Sequence, residues 1–228
     1  MFTYDEVIAA AGGVIEFQKK AGLVADGVAG PTTNNAVLRV MLGLAPLRRP
    51  SDNPGKDGIR RPAMDETYGA FKFEHYPKEK VKANKDKGRV IIDPTWEAEN
   101  IVEKKLWDGQ VLKLHKDCWD EFNFIFKAAV EASGYHPKYI VGYKPRHTLW
   151  DPAKSLSTHS WGCAVDFEPD NNDMGGVDVT KPKGADGKYP PSRMRRFPKF
   201  PETFKFFGWA YGGDFSVRDD MHLSRTIS

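Results

Sequence analysis

The chain has 228 residues, enough for one substantial domain and a small one. Hydrophobic residues make up 40%, charged residues 29% and aromatics 12%, a balance that excludes a disordered polymer. With 34 basic and 31 acidic residues the net charge is +3, too mild for nucleic acid as the principal ligand but enough to favour anionic polymers.

From the N-terminus, residues 1–45 are predicted to form a small helical module. Val7, Ile8, Val14, Phe17 and Ala21 make an apolar stripe of helical period, weakened by Gly12-Gly13. Asp5 and Glu6 stand where a signal peptide carries positive charge, and no apolar run approaches the ~20 residues of a membrane helix. The expectation is therefore a protein made in the cytoplasm with no membrane insertion; a monomer is expected without a residue-level signal for it. Asp26-Gly27 marks a turn, and Pro31 suits the first turn of a second helix carrying Ala36, Val37, Val40 and Met41 on one face. So short a unit is marginal alone and is expected to lean on the rest of the chain.

Residues 46–64, rich in Pro, Gly and basic side chains, read as a basic linker. Residues 65–228 read as the catalytic domain. Val90–Ile92 is a short strand. Residues 115–133 form the strongest helix, with Trp119, Phe122, Phe126 and Ala129 on one face and Gly134 as its stop. Strands are expected at 139–141, 164–167 and 221–224. Strands and helices in irregular order give an α+β class, a small antiparallel sheet with helices packed on it. Cys118 and Cys163 have no CxxC spacing and read as free thiols of a reducing compartment.

The chemistry lies in Ser157-Thr-His159-Ser-Trp-Gly162-Cys-Ala164-Val-Asp166 and in a late Arg218-Asp219-Asp220-Met221-His222. Histidine and carboxylate are zinc ligands, and a catalytic zinc site uses three of them with one position open. A reversal at Gly162 brings Asp166 back beside His159. Strand parity then puts Ala164, Asp166 and Glu168 on one face and Cys163, Val165 and Phe167 on the other, so Cys163 points to the core. His75, His115, His136 and His147 have no such context and read as surface or core residues. Glu168, Asp170, Asn171 and Asn172 read as a loop.

These two elements, in this order, resemble the zinc D-Ala-D-Ala carboxypeptidase and L-alanyl-D-glutamate peptidase family, which includes vancomycin-resistance dipeptidases and many phage endolysins. The resemblance spans roughly residues 90–228. It implies a hedgehog-like zinc DD-peptidase fold and one Zn2+ held by His159, Asp166 and His222, with Asp219 as general base. Gly142-Tyr143-Lys144-Pro145-Arg146 matches the arginine-bearing element, with the functional cation at Arg146 and Lys144 as the alternative. Ser157 is expected to support the site by hydrogen bonding, and Trp161, Trp209 and Tyr211 either line a substrate groove or pack near it. If residues 219–222 were a regular strand, Asp220 would share the face of His222 and become the better base. Asp219 is favoured on the resemblance, which requires the strand to start after it.

Residues 17–33, with Phe17-Gln18, Gly22-Leu23, Asp26-Gly27, Gly30 and Thr33, resemble the peptidoglycan-binding repeat of wall hydrolases. Together the two resemblances imply a modular endolysin, held in the bacterial cytoplasm until it reaches peptidoglycan, with L-Ala–D-Glu as the bond cut. The other readings are D-Ala-D-Ala carboxypeptidase, cross-link D-Ala–diaminopimelate endopeptidase, and a non-catalytic wall-binding protein.

Overall fold

The structure, a computed structural model of the chain, describes residues 3–45 and 61–225. Gly12 and Gly13 both take positive φ and split the N-terminal stripe into α1 (Tyr4–Ala11) and α2 (Val14–Lys20), where one weakened helix was expected. Thr3 and Glu6 close a capping box on α1. After the Asp26-Gly27 turn, Pro31 opens α3 (Pro31–Met41), where its missing N–H leaves no bond unmade.

Val7, Phe17 and Val37 form a small apolar cluster in this unit. Gln18 is its polar hub: its amide nitrogen reaches Asp26 Oδ1 (2.7 Å), Val28 O (3.0 Å) and Thr33 Oγ1 (3.1 Å), and its amide oxygen accepts Gly27 N–H (2.9 Å). The polar residues singled out between 17 and 33 thus brace their own turn.

Residues 46–60 of the expected linker lie outside the described residues. The last part of that stretch already belongs to α4 (Arg61–Tyr68), in which Ala63, Met64 and Tyr68 are buried. β1 (Phe73–His75) pairs antiparallel with β2 (Val90–Ile92). α5 (Pro94–Asn100), capped by Asp93, runs into the antiparallel hairpin of β3 (Ile101–Lys105) and β4 (Val111–His115). α6 (Lys116–Ser133) follows without a break, its first turn capped by His115 and its end stopped by Gly134 in the left-handed region.

The remaining elements build the site. β5 (Ile140–Val141), β6 (Ala164–Phe167), β7 (Ala210–Tyr211) and β8 (His222–Ser224) form a four-stranded sheet in the order β5-β6-β8-β7, with every neighbour antiparallel. α7 (Arg193–Arg196) and α8 (Lys199–Phe206) lie between β6 and β7 in the chain. Phe122 and Phe126 of α6, Phe167 of β6, and Phe200 and Phe204 of α8 are fully buried together and join the helices to the sheet. Burying each such ring contributes roughly 1.5–3 kcal/mol. The architecture is α+β with small antiparallel sheets.

α3 is covered on two sides, which corrects the single face expected for it. Val37 faces α1 and α2, whereas Leu38 is completely buried in the main core and Val40 is exposed. Beside Leu38 sits a buried charge, Glu121 of α6. It accepts from Arg39 Nη1 of α3 (2.8 Å), Asn35 Nδ2 (3.2 Å) and Trp209 Nε1 (3.1 Å), and Arg225 Nε stands 3.1 Å away as an ion pair. Arg225 also donates to Asn35 Oδ1 (2.6 Å). The N-terminal helices are therefore fastened to α6 and to the segment that leaves β8.

Candidate metal centre

β6 and β8 pair with Asp166 opposite His222, which puts both side chains on one face of the sheet. His222 Nδ1 lies 3.0 Å from Asp166 Oδ1. His159 arrives on a 3-10 turn, Thr158–Trp161, capped by Ser157, whose Oγ accepts the His159 N–H. Gly162 ends that turn at φ 71°, so close to the chain that a Cβ there would meet His115 N at 2.6 Å. Glycine is required on both grounds. The turn delivers His159 Nε2 to 3.1 Å from Asp166 Oδ1 and 3.3 Å from His222 Nδ1. All three residues are buried, and their donor atoms lie within 4.8 Å of one another.

Chemistry and spacing of this donor set fit a zinc ion. His159 Nδ1 is 2.7 Å from the carbonyl of Gly142, which can only accept, so that nitrogen carries the proton. Burial holds His159 below the ordinary imidazole value, with Asp166 opposing. The other ring nitrogen, Nε2, then faces a carboxylate oxygen, and a positive charge between them, a bound cation or a proton on Nε2, is needed to keep the two from opposing each other. Burial pushes the Asp166 carboxyl up, but His159 and His222 outweigh it and hold the group well below the usual carboxylate range, ionised. Ligand atoms ~2.0–2.1 Å from a tetrahedral ion are about 3.3 Å apart. The three separations here, 3.0, 3.1 and 3.3 Å, match that spacing. Thr158 Oγ1, 3.4 Å from His222 Nε2, and the Gly142 carbonyl orient the two rings from behind.

Arg146 stands against the cluster. Its Nη2 donates to Asp166 Oδ2 (3.2 Å) and its Nη1 to Ser157 Oγ (2.6 Å). Ser160 holds the backbone of Arg146 at both ends, accepting from its N–H and donating to its carbonyl, each at 3.0 Å. Lys144 donates its backbone N–H to His159 O, and its side chain is exposed beside Trp150. Arg146 is the cation whose contact with the cluster, at Asp166, the structure shows.

The chain between Gly212 and His222 separates the two acidic candidates. β8 begins only at His222, and Asp219 stands before the intervening turn as an isolated bridge to Met174, its N–H bonded to Gly212 O and its carbonyl accepting His222 N–H. Asp219 Oδ1 is buried without a hydrogen-bond partner among the described residues. Burial pushes its carboxyl up to about 6, with His222 and Arg146 opposing and Asp166 adding to the rise. Asp220 turns the other way: it is wholly buried, accepts from Ser192 Oγ at 2.5 Å and faces Arg218. Strand parity, which pointed to Asp220, does not apply because residues 219–221 are not strand.

Other residues singled out lie elsewhere. Trp209 and Trp161 are core residues, bonded to Glu121 and Asp65, and do not line a groove. Tyr211 is half-buried against the core. Cys118 and Cys163 are free buried thiols in the second apolar cluster, beside Trp161. Glu168 accepts from Tyr135 and Arg193, and Asn172 is buried with its amide on Phe167 O. The roles of Thr158, Ser160 and the Gly142 carbonyl were not anticipated. The polar run 157–160 just before an apolar strand was the available signal for the first two.

A protein-family model described as D-alanyl-D-alanine carboxypeptidase matches residues 151–225. The match takes in Ser157, His159, Asp166, Asp219 and His222 and begins after Arg146. No curated protein and no solved structure gives a match. The family match supports a zinc-dependent peptidase of the DD-peptidase kind and, at that level, peptidoglycan as the substrate.

Proposed function

We propose that this chain is a modular, endolysin-type peptidase that hydrolyses a peptide bond in the stem peptide of bacterial peptidoglycan, with L-Ala–D-Glu as the leading bond. The observation that carries the reading is the buried triangle of His159, Asp166 and His222 with Asp219 and Arg146 on its margin. A zinc ion held by the triangle supplies Lewis-acid polarisation of the scissile carbonyl and lowers the pKa of a water to ~7. Asp219 takes a proton from the attacking water and returns it to the leaving amine, a task suited to a buried carboxylate oxygen with no hydrogen-bond partner among the described residues. Arg146 offers its guanidinium to the oxygen on which negative charge develops, its plane steadied by Ser157 and Asp166. The Gly142 carbonyl and Thr158 keep the two imidazoles turned toward Asp166. The resemblance of residues 17–33 to wall-binding repeats supports a peptidoglycan-docking role for the N-terminal helices.

A second reading, removal of terminal D-Ala, is favoured by the description of the matching family. Pocket shape separates these substrates, since all of them present an amide with an alanine on its acyl side and differ in the residue that leaves. Mass spectrometry of purified peptidoglycan digested by zinc-loaded protein, with Asp219→Ala as control, distinguishes them. New glutamate amino groups establish L-Ala–D-Glu cleavage, dimers converted to monomers a cross-link endopeptidase, and released D-Ala a carboxypeptidase. No product from several wall chemotypes refutes the enzyme and leaves a wall-binding protein.

A further inference from the structure

Leu149 and Trp150 are consecutive non-glycine residues in the left-handed region, at φ 56° and 60°. Such backbone is disfavoured for L residues and persists only where the surroundings over-determine it. Here both flanks do so. His147 and Leu156 bridge as antiparallel partners, Thr148 N–H donates to Ser155 O (2.9 Å), and Trp150 N–H donates to His147 O (3.1 Å). From the other side Gly88 approaches so closely that a Cβ there would come within 2.2 Å of the Trp150 carbonyl carbon.

Core packing does not account for this kink, because it leaves the Leu149 side chain 46% exposed. What it delivers is the Trp150 indole. Arg146 Cζ lies 5.1 Å from the ring centroid and Lys144 Nζ 5.3 Å. Both are cation–π distances. The edge of the Arg146 guanidinium is fixed by Ser157 and Asp166, and the group lies over the indole ring. Two edge bonds set the position of a planar fork, and the attraction of the cation to the ring limits its swing about them.

We propose that the strained Leu149–Trp150 kink is a clamp for the Arg146 guanidinium, which makes Trp150 a positioning residue for peptide-bond cleavage. The proposal rests on the cleavage reading above and names a device within that site, on a segment that ends before the family match begins.

The test is a double-mutant cycle with Trp150→Leu, which keeps apolar bulk and removes the π face, and Arg146→Ala. Muropeptide release and zinc content are measured in each variant. Trp150→Leu is expected to lower kcat about tenfold with KM within about twofold and zinc content unchanged, and to cause no further loss once Arg146 is absent. Trp150→Phe is expected to recover most of the lost rate. In parallel, the Arg146 Nε–H resonance, displaced upfield by the indole ring current, is expected to move downfield in Trp150→Leu. An equal loss with and without Arg146, or an unmoved resonance, overturns the clamp. If the parent chain releases nothing from wall, the cleavage reading falls, and the Arg146 resonance still decides the clamp.

Discussion

Replacing Leu38 with alanine probes whether the N-terminal helices are part of the catalytic fold. Leu38 lies on α3 yet is fully buried with Phe122, Phe204 and Trp209. A fully buried Leu→Ala change removes the transfer free energy of three carbons and leaves a cavity, together about 3 kcal/mol in a site that collapses partially. For a chain of this length each kcal/mol lowers the melting temperature by roughly 2–4 °C, so Leu38→Ala is expected to lower it by about 6–12 °C. Val40→Ala on the same helix is the control, because Val40 is 47% exposed and its loss changes stability by no more than about 0.5 kcal/mol. Thermal unfolding followed by near-ultraviolet circular dichroism reads the aromatic core directly. One cooperative transition, shifted as a whole, is the expected outcome. A main transition that stays in place while a separate early step weakens would show that α3 merely rests on an independent domain, and would refute this energetic account of the interface.

Two further expectations concern single groups. His115 is buried, with Nδ1 accepting Asp117 N–H and Nε2 on Tyr68 O, and burial pushes it down to about 4. Its folded pKa lies below its unfolded value of 6.5, so its stabilising share is present above pH 6.5 and is lost as pH falls toward 4. The share amounts to about 3 kcal/mol at most, and His115→Gln should flatten the fall in urea midpoint across that window; an unchanged slope would place the acid sensitivity elsewhere. At the site, Asp219→Asn is expected to retain zinc and lower the rate of wall-peptide release roughly 10²–10⁴-fold. Asp220→Asn, turned toward Ser192, is expected to lose far less, and the opposite order would reassign the base.

Legibility in the sequence followed the regularity of the backbone. Asp166 sits in a true strand, so period-two parity placed it on the cleft face and Cys163 in the core. Asp219 is cut off from β8 by a turn at residues 220–221, across which parity has no meaning, and only its spacing to His222 marked it. The β3–β4 hairpin went unread although Asp108-Gly109 and the alternation of Leu112 and Leu114 announce it, because the charged run Glu103 to Lys105 masked the first strand. Leu38 was missed for a different reason. A helix covered on both sides has no single apolar stripe, and its second partner, 80 residues away in α6, leaves no local trace. The same holds for the Gly142 carbonyl and Ser160, whose roles arise from side-chain to backbone bonds between distant segments.

Native mass spectrometry of the intact chain against its Asp166→Ala variant tests the centre of this account most directly. Asp166 is the residue on which His159, His222 and Arg146 all converge. The account predicts one zinc ion per parent chain and none retained at the same free zinc by the folded variant. A parent chain that binds no zinc, or a variant that keeps it at full stoichiometry, would contradict the assignment of the His159–Asp166–His222 triangle as the metal centre.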